Sequence, residues 1–288
     1  MQVKTIQNNI LSRYAQHGRS LPRRKTRDPY AIHISEVMLQ QTQVDRVIPY
    51  FHQWMKDFPD YASLAKASKT DLLKHRSWLW FNSRAIRLQE CAKIITEKWY
   101  ILKKDTLKIW KDSFIKNSKF KIQNSGSGLL SIRKNLQSFP GVGPYTSAAI
   151  MAFARNLEVP VIDTNIRRVL IFLFKLDEKI SMQALENFAT KIIPKGKSRD
   201  RHNALMDYGA LELTARKTKI KPTSKQSKFQ GSDREVRGRV IKNLVKSVEC
   251  RVKSVEDEFP HKDVKHILKW MKEEWLIHIK KWLLTIAE

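Results

Sequence analysis

The sequence predicts an all-α body followed by a small C-terminal module. Three observations carry this. Apolar residues recur at helical spacing through most of residues 5–213, where the alternating pattern of strands is weak. The 42% hydrophobic content over 288 residues is enough for a buried core and too high for a disordered basic tail. No segment repeats at a period of about 20–50 residues, which excludes a solenoid. No apolar run approaches the ~20 residues that a spanning helix needs.

The elements follow in order. Thr5 to His17 sets Ile6, Ile10, Leu11 and Tyr14 on one helical face, and Arg19 to Asp28 is a basic, Pro-containing connector. A helix is expected after Pro29 through Ile32, Ile34, Val37, Met38 and Leu39, and another from Val44 to Asp57. Shorter helices follow over Tyr61–Ala67, Lys69–Arg76 and Arg84–Trp99, with Asp60 and Ser68 placed to cap the first two. Residues 101–128 are lysine-rich and end in Asn-Ser-Gly-Ser-Gly, the composition of a surface insertion or linker. Helices resume over Leu129–Leu136, Tyr145–Phe153, Ile166–Phe174, Met182–Ile192 and Arg199–Leu213. Leu213–Lys246 then carries eleven Lys or Arg against two acids. Its first half reads as an exposed linker, and its second regains apolar spacing through Val236, Val240, Ile241, Leu244 and Val245. Trp275–Ile279 and Trp282–Ile286 are short enough to be two strands. Helices followed by a hairpin would make a winged-helix module, although the same residues also fit a C-terminal helix pair.

Charge narrows the partner. The chain holds 55 Lys plus Arg against 28 Asp plus Glu, a formal net charge of +27. Such an excess favours a polyanion: DNA, RNA or, less well, an anionic membrane. The start, MQVKTIQNNILSRY, lacks the apolar core of a secretory signal, so the expected address is cytoplasmic. Cys91 and Cys250 lie far apart and cannot by themselves form a metal cluster.

The most pointed local feature is Leu136-Gln-Ser-Phe-Pro-Gly-Val-Gly-Pro-Tyr-Thr146. Gly141 and Gly143, flanking Val142 and following Pro140, permit a tight hairpin and close backbone approach. Pro144 and Tyr145 open the next helix, whose first amides could hold a phosphate oxygen. The plainer reading is an ordinary helix–helix turn with Tyr145 as packing. Asp163 follows twenty residues after Gly143, after an apolar run and before a helix. It can cap that helix, with Arg167 and Arg168 on the solvent face, and also serve as a fixed charge, with Asn165 orienting it or a bound water.

These strings resemble the helix-hairpin-helix superfamily of base-excision DNA glycosylases. Ser35-Glu36-Val-Met-Leu-Gln-Gln-Thr-Gln43 is similar to its adenine DNA glycosylase (MutY) branch. The resemblance covers roughly residues 5–215, in three strings that agree in order: 28–51, 136–152 and 160–170. It implies a helix-hairpin-helix DNA glycosylase fold of two helical subdomains with the active site between them. The corresponding division is 1–28 as N-terminal helix and connector, 29–143 as the first subdomain, 144–213 as the second, 214–233 as a basic linker and 234–288 as the small module.

The resemblance implies a chemistry as well. Glu36 would protonate adenine N7 and position or activate water, which requires a pocket that holds its proton. Asp163 would stay ionised and either stabilise the positive charge that grows at C1′ or attack it transiently, a two-carboxylate arrangement of the glycosidase kind. Tyr145 occupies the position where strand-cutting relatives carry a Schiff-base lysine, so a monofunctional enzyme is implied. Gln40, Gln41, Thr42 and Gln43 would lie near the mispair. Pro140, Gly141, Val142, Gly143 and Thr146 would contact DNA at the hairpin. The implied partner is double-stranded DNA with a mismatched or oxidised base pair, bound by a monomer associated with the nucleoid.

The chain departs from the family pattern in three places. The four positions that would ligate an iron–sulfur cluster align with Leu213, Ile220, Thr223 and Phe229, so no cofactor is expected, and Lys217, Lys219 and Lys221 are expected to keep the DNA contact. Trp78-Leu-Trp-Phe-Asn-Ser-Arg-Ala85 replaces a glycine-containing wedge loop; Trp80 or Phe81 could still unstack bases and Arg84 contact DNA, or the tryptophans could be core. Only 75 residues follow Leu213, less than a Nudix-like 8-oxoguanine-reading domain takes. Two rival readings remain: a mismatch-specific thymine or uracil glycosylase, and a non-catalytic DNA-binding protein on the same fold. The other arginines of the connector and helix starts, Arg23, Arg24, Arg27, Arg167 and Arg168, are read as phosphate or surface contacts.

Overall fold

The computed structural model describes residues 2–40, 42–75, 82–101, 126–222, 228–247, 249–274, 276–280 and 282–287. Gln41, Trp78, Trp80 and Phe81 lie outside these, as does nearly all of the expected insertion at 101–128. Two compact units emerge, Met1–Glu36 with Leu102–Lys225, and Val37–Ile101 with Gln226–Glu288. Each unit draws on two separated stretches of the chain.

The first unit is helical: α1 (Gln2–His17), a 3-10 turn (Pro22–Arg24), the first two turns of α2 (Pro29–Leu39), α7 (Gly126–Gln137), α8 (Pro144–Arg155), α9 (Thr164–Phe174), α10 (Met182–Lys191), α11 (Ser198–Leu211) and α12 (Ala215–Thr218). Helix α8 is buried along nearly its whole length, from Thr146 to Ala154, because Ala148-Ala-Ile-Met-Ala-Phe-Ala154 is small or apolar on every face. α11 packs against α1, α9 and α8. Its Gly209 admits α9 closely: a Cβ there would lie 3.0 Å from Asn165 Cβ and from Val169 Cγ2. The connector is not loose. Asp207 of α11, 6% exposed, accepts from Arg19 Nε at 2.6 Å and from both Arg24 terminal nitrogens at 2.7 and 2.8 Å. Arg199 adds bonds to the carbonyls of Arg24 and Thr26 at 2.7 and 2.6 Å.

The second unit holds α3 (Val44–Asp57), α4 (Tyr61–Lys66), α5 (Lys69–Lys74) and α6 (Asn82–Ile101), then α13 (Asp233–Ser247), β1 (Glu249–Arg251), α14 (Val252–Glu258), α15 (Val264–Glu273), β2 (Ile277–Lys280) and β3 (Leu283–Ile286). Asp60 and Ser68 cap α4 and α5 as expected: Asp60 makes a reciprocal capping box with Ser63, and Ser68 accepts from the Asp71 amide. The two C-terminal strands form a hairpin, and β1 joins them in an antiparallel sheet of order β1-β3-β2. Cys250 pairs with Leu284 on one side and Ile279 with Leu284 on the other. β1 is not legible in the sequence because three residues are too few to show an alternation. The sheet packs on Val240, Ile241, Leu244, Ile267 and Met271, and Leu73 of α5 and Ile86 of α6 complete the same core. Among the described residues, no helix is long and apolar enough to cross a membrane.

Candidate active site

The first unit brings several of the sequence-predicted groups together. Ser35 and Glu36 lie on the part of α2 that is buried on all sides, with Glu36 2% exposed. A carboxyl in such a place needs polar partners. Tyr145, in the first turn of α8, donates its hydroxyl to Glu36 Oε2 at 2.7 Å. Arg23 Nη1 lies 2.9 Å from Glu36 Oε1, a charge contact whose angle does not make a hydrogen bond. Oε1 is therefore a buried oxygen with a charge partner and no hydrogen bond. Arg23 itself passes over the Phe153 ring, 5.3 Å from its centroid.

Asp163 caps α9. Its Oδ1 accepts from the Ile166 amide at 2.6 Å, and Oδ2 accepts from Asn165 Nδ2 at 3.3 Å. Burial raises the Asp163 carboxyl above its ordinary range, against the pull of the Ile166 and Asn165 donors and the Arg168 charge. Burial, then the charges of Glu36 and Asp163, hold the Tyr145 phenol protonated far above its usual range. Tyr145 thus feels both carboxyls and remains a hydrogen-bond donor at any ordinary pH.

Arg168 organises the surroundings. Its guanidinium donates to Asn165 Oδ1 at 2.7 Å, to the Gly209 carbonyl at 2.7 Å and to the Leu213 carbonyl at 2.6 Å. His202 braces the strand-like approach to Asp163: its Nε2 accepts from the Val161 amide at 3.1 Å while Nδ1 donates to the Ser198 carbonyl at 2.6 Å. Burial lowers the His202 pKa to about 3, so the ring is neutral and this tautomer is fixed by its bonds.

The expectation that Arg23, Arg24 and Arg168 are surface contacts fails. Arg23 sits beside Glu36, Arg24 on Asp207, and Arg168 is 6% exposed. The apolar face of α9, with Ile166, Val169 and Leu170, points Arg168 away from that face, which reads as solvent in sequence; α11 and the Leu213 turn cover it. Arg167 is half-buried and donates to the Glu178 carbonyl.

The hairpin has the turn its sequence requires. The Val142 amide donates to the Phe139 carbonyl at 3.1 Å, with Pro140 second and Gly141 third at φ 77°. A side chain at Gly141 would be strained. Gly141 and Gly143 are exposed, and a Cβ on Gly143 would meet nothing within 4 Å. Val142 and Thr146 are buried, so their side chains support the hairpin by packing. Lys217 in α12, and Lys219 and Lys221 just after it, are all exposed.

The remaining predicted contacts belong to the second unit. Gln40 and Thr42 are half-buried after the last turn of α2, and Gln43 is exposed ahead of α3. Arg84 donates to the Gln40 carbonyl at 2.8 Å, so part of its guanidinium steadies that turn.

Residues 34–195 match the family described as HhH-GPD superfamily base excision DNA repair protein. The chain belongs to this superfamily. This HhH-GPD protein is 30% identical to the adenine DNA glycosylase of Mycolicibacterium smegmatis over 254 residues, 81% of this chain and 78% of the relative. It is 30% identical to the adenine DNA glycosylase of Mus musculus over 251 residues, 83% of this chain but 44% of that relative. Among solved structures it resembles a thermostable thymine-DNA glycosylase, with TM-score 0.59 and 26% identity over 75% of this chain and 89% of the other. Membership makes it a DNA glycosylase, a hydrolase of N-glycosyl bonds.

An iron–sulfur cluster does not fit this HhH-GPD protein. Leu213 and Ile220, at two of the four ligand positions, are buried hydrophobic residues. The two cysteines of the sequence are buried thiols in the other unit, and burial pushes Cys91 up to about 12. Among the described residues, no group of three or more His, Cys, Asp or Glu could hold a metal ion.

Proposed function

We propose that this protein removes adenine mispaired with 8-oxoguanine or guanine from duplex DNA, and that it does so without cutting the strand. The observation that carries the reading is Glu36: a buried carboxyl fixed through Oε2 by Tyr145, with Oε1 lacking a hydrogen bond in the protein. A buried oxygen of that kind is a place where a ligand group completes the bonding. The string from Ser35 to Gln43 and the curated relatives named adenine DNA glycosylase favour adenine as that ligand.

In this reading Glu36 delivers a proton to adenine N7 as the bond from the base to C1′ breaks and its electron pair leaves with the base. Asp163, ionised and held by Ile166 and Asn165, faces the positive charge that develops on the sugar. Water then adds to C1′ and passes its proton to the Glu36 carboxylate, which restores the acid and leaves an abasic site. A Schiff base needs a free amine at the sugar; Tyr145 offers a protonated phenol instead, which supports the monofunctional assignment. The hairpin amides of Gly141, Gly143 and Tyr145 take the phosphate backbone.

The thymine reading has its own support in the likeness to the thymine-DNA glycosylase structure. A panel of duplexes with A opposite 8-oxoguanine, A opposite G, T opposite G and U opposite G, treated with alkali after incubation, separates the two. Breaks confined to the adenine strands are expected. Breaks only with T or U opposite G would establish the rival.

A further inference from the structure

The C-terminal module presents a surface that base excision does not use. Its elements run α13, β1, α14, α15, β2, β3, and α14 is joined to α15 by only five residues, 259–263, which makes a helix-turn-helix pair beside a β-hairpin. Helix α15 is sharply two-faced. Val264, Ile267, Leu268 and Met271 enter the module core, and Lys265, His266, Lys269 and Lys272 are exposed. Lys265, Lys269 and Lys272 follow at i, i+4 and i+7, so they form one stripe along the helix.

The charges around the stripe are arranged differently. Arg239 pairs with Glu258 at 2.7 Å, Lys262 with Asp233 at 3.0 Å, and Arg237 stacks over Trp270 at 4.4 Å. Among the described residues, no ion pair engages the three stripe lysines. The hairpin is equally unusual. Trp282 at its tip is 73% exposed, with Leu283 at 38%, next to exposed Lys280. Trp282 is nonetheless anchored through its backbone, because its carbonyl accepts from the Val252 amide at 3.0 Å. A large aromatic held in water on an anchored hairpin, in the same module as these lysines, points to a partner that is anionic and offers an apolar contact.

We propose that this module is a second binding element for duplex DNA, one that needs no damaged base. Helix α15 lies in the major groove, as the second helix of a helix-turn-helix pair does. Lys265, Lys269 and Lys272 take phosphates along the groove, and the β2–β3 hairpin sets Trp282 against the neighbouring backbone and groove edge. The site would hold the protein on undamaged DNA during its search. This inference requires DNA as partner and is independent of which base is removed.

The test uses the full chain and an undamaged 30-base-pair duplex, with fluorescence anisotropy read at a series of salt concentrations. The Lys265→Ala/Lys269→Ala/Lys272→Ala protein should bind about tenfold more weakly and lower the steepness of log K against log salt by about 2 to 3, one step for each phosphate left without its lysine. Trp282→Ala should weaken binding about fivefold and leave the slope unchanged, because an apolar contact with the sugar edge releases no counterion. All four residues are exposed, so both proteins should melt with the parent, and saturating single-turnover base release should match the parent on whichever mismatch it cleaves. A triple variant with the parent's duplex affinity and slope would overturn the proposal. So would a triple variant that loses single-stranded RNA of equal length while keeping the duplex.

Discussion

Asp163 allows capping and catalysis to be separated in one position. In Asp163→Asn, the amide oxygen can still accept from Ile166, and asparagine caps a helix as well as aspartate does. The burial that raises the Asp163 carboxyl no longer works against a charge, while the attraction of Arg168 is lost, so the net change in stability should stay within about 1 kcal/mol. Asp163→Ala removes the cap as well and should cost about 1 kcal/mol more. Base release tells the two roles apart, because both variants lack the negative charge facing C1′ and should be slower by about 100- to 1000-fold. Urea melts paired with single-turnover release from A opposite 8-oxoguanine provide the two readouts. The reasoning fails if Asp163→Asn keeps a rate within about threefold of the parent. It also fails if Asp163→Asn is as destabilised as Asp163→Ala, since the carboxyl would then be structural.

Other consequences follow from the same geometry. Tyr145→Phe removes the donor to Glu36 Oε2, and should slow base release by about tenfold or more while the chain still folds, read by single-turnover kinetics and circular dichroism. Because Asp163 must be ionised and its pKa is raised, the acid limb of the rate profile should fall above the ordinary aspartate value of about 4, and a limb below that value would contradict the assignment. Asp207→Asn leaves Arg19 and Arg24 without their carboxylate and should destabilise the fold by about 3 kcal/mol. The Asp207 pKa is lowered: burial alone would raise it, but the Arg24 and Arg19 bonds outweigh that, so its contribution is present above about pH 4 and lost as pH falls through the lowered value. His33 and His202, lowered by burial to about 4 and about 3, act in the same direction at higher pH, so unfolding free energy should begin to fall once pH drops below about 6.5. Gly209→Ala forces a Cβ onto Asn165 and Val169 and should cost about 1–3 kcal/mol while displacing Asn165, visible as a lower Tm and a slower rate together.

Helices and caps were legible because their causes are local. Asp60, Ser68 and Asp163 stand one residue before apolar-periodic runs, and each caps the helix that follows. The hairpin was legible because Pro140 and Gly141 leave one turn conformation open. What escaped was set by tertiary contact. Arg23 shows no periodic signal, yet it lies on Glu36 because Arg19 and Arg24 tie the connector to Asp207. Arg168 sits opposite an apolar face, and only the approach of α11 through Gly209 turns that side inward. His202 carries no sequence signal, being a lone histidine 41 residues from the amide it accepts from. The C-terminal hairpin could be read either way until β1 paired with β3.

The identity of the released base tests the central claim most directly. Duplexes with A opposite 8-oxoguanine would be incubated with the parent and with Glu36→Gln, and free bases identified by mass spectrometry before any alkali. The account predicts free adenine from the parent, an intact strand until alkali is added, and adenine reduced by at least about 100-fold with Glu36→Gln. Thymine released from T opposite G with no adenine from this duplex, or adenine released equally well by Glu36→Gln, would contradict it.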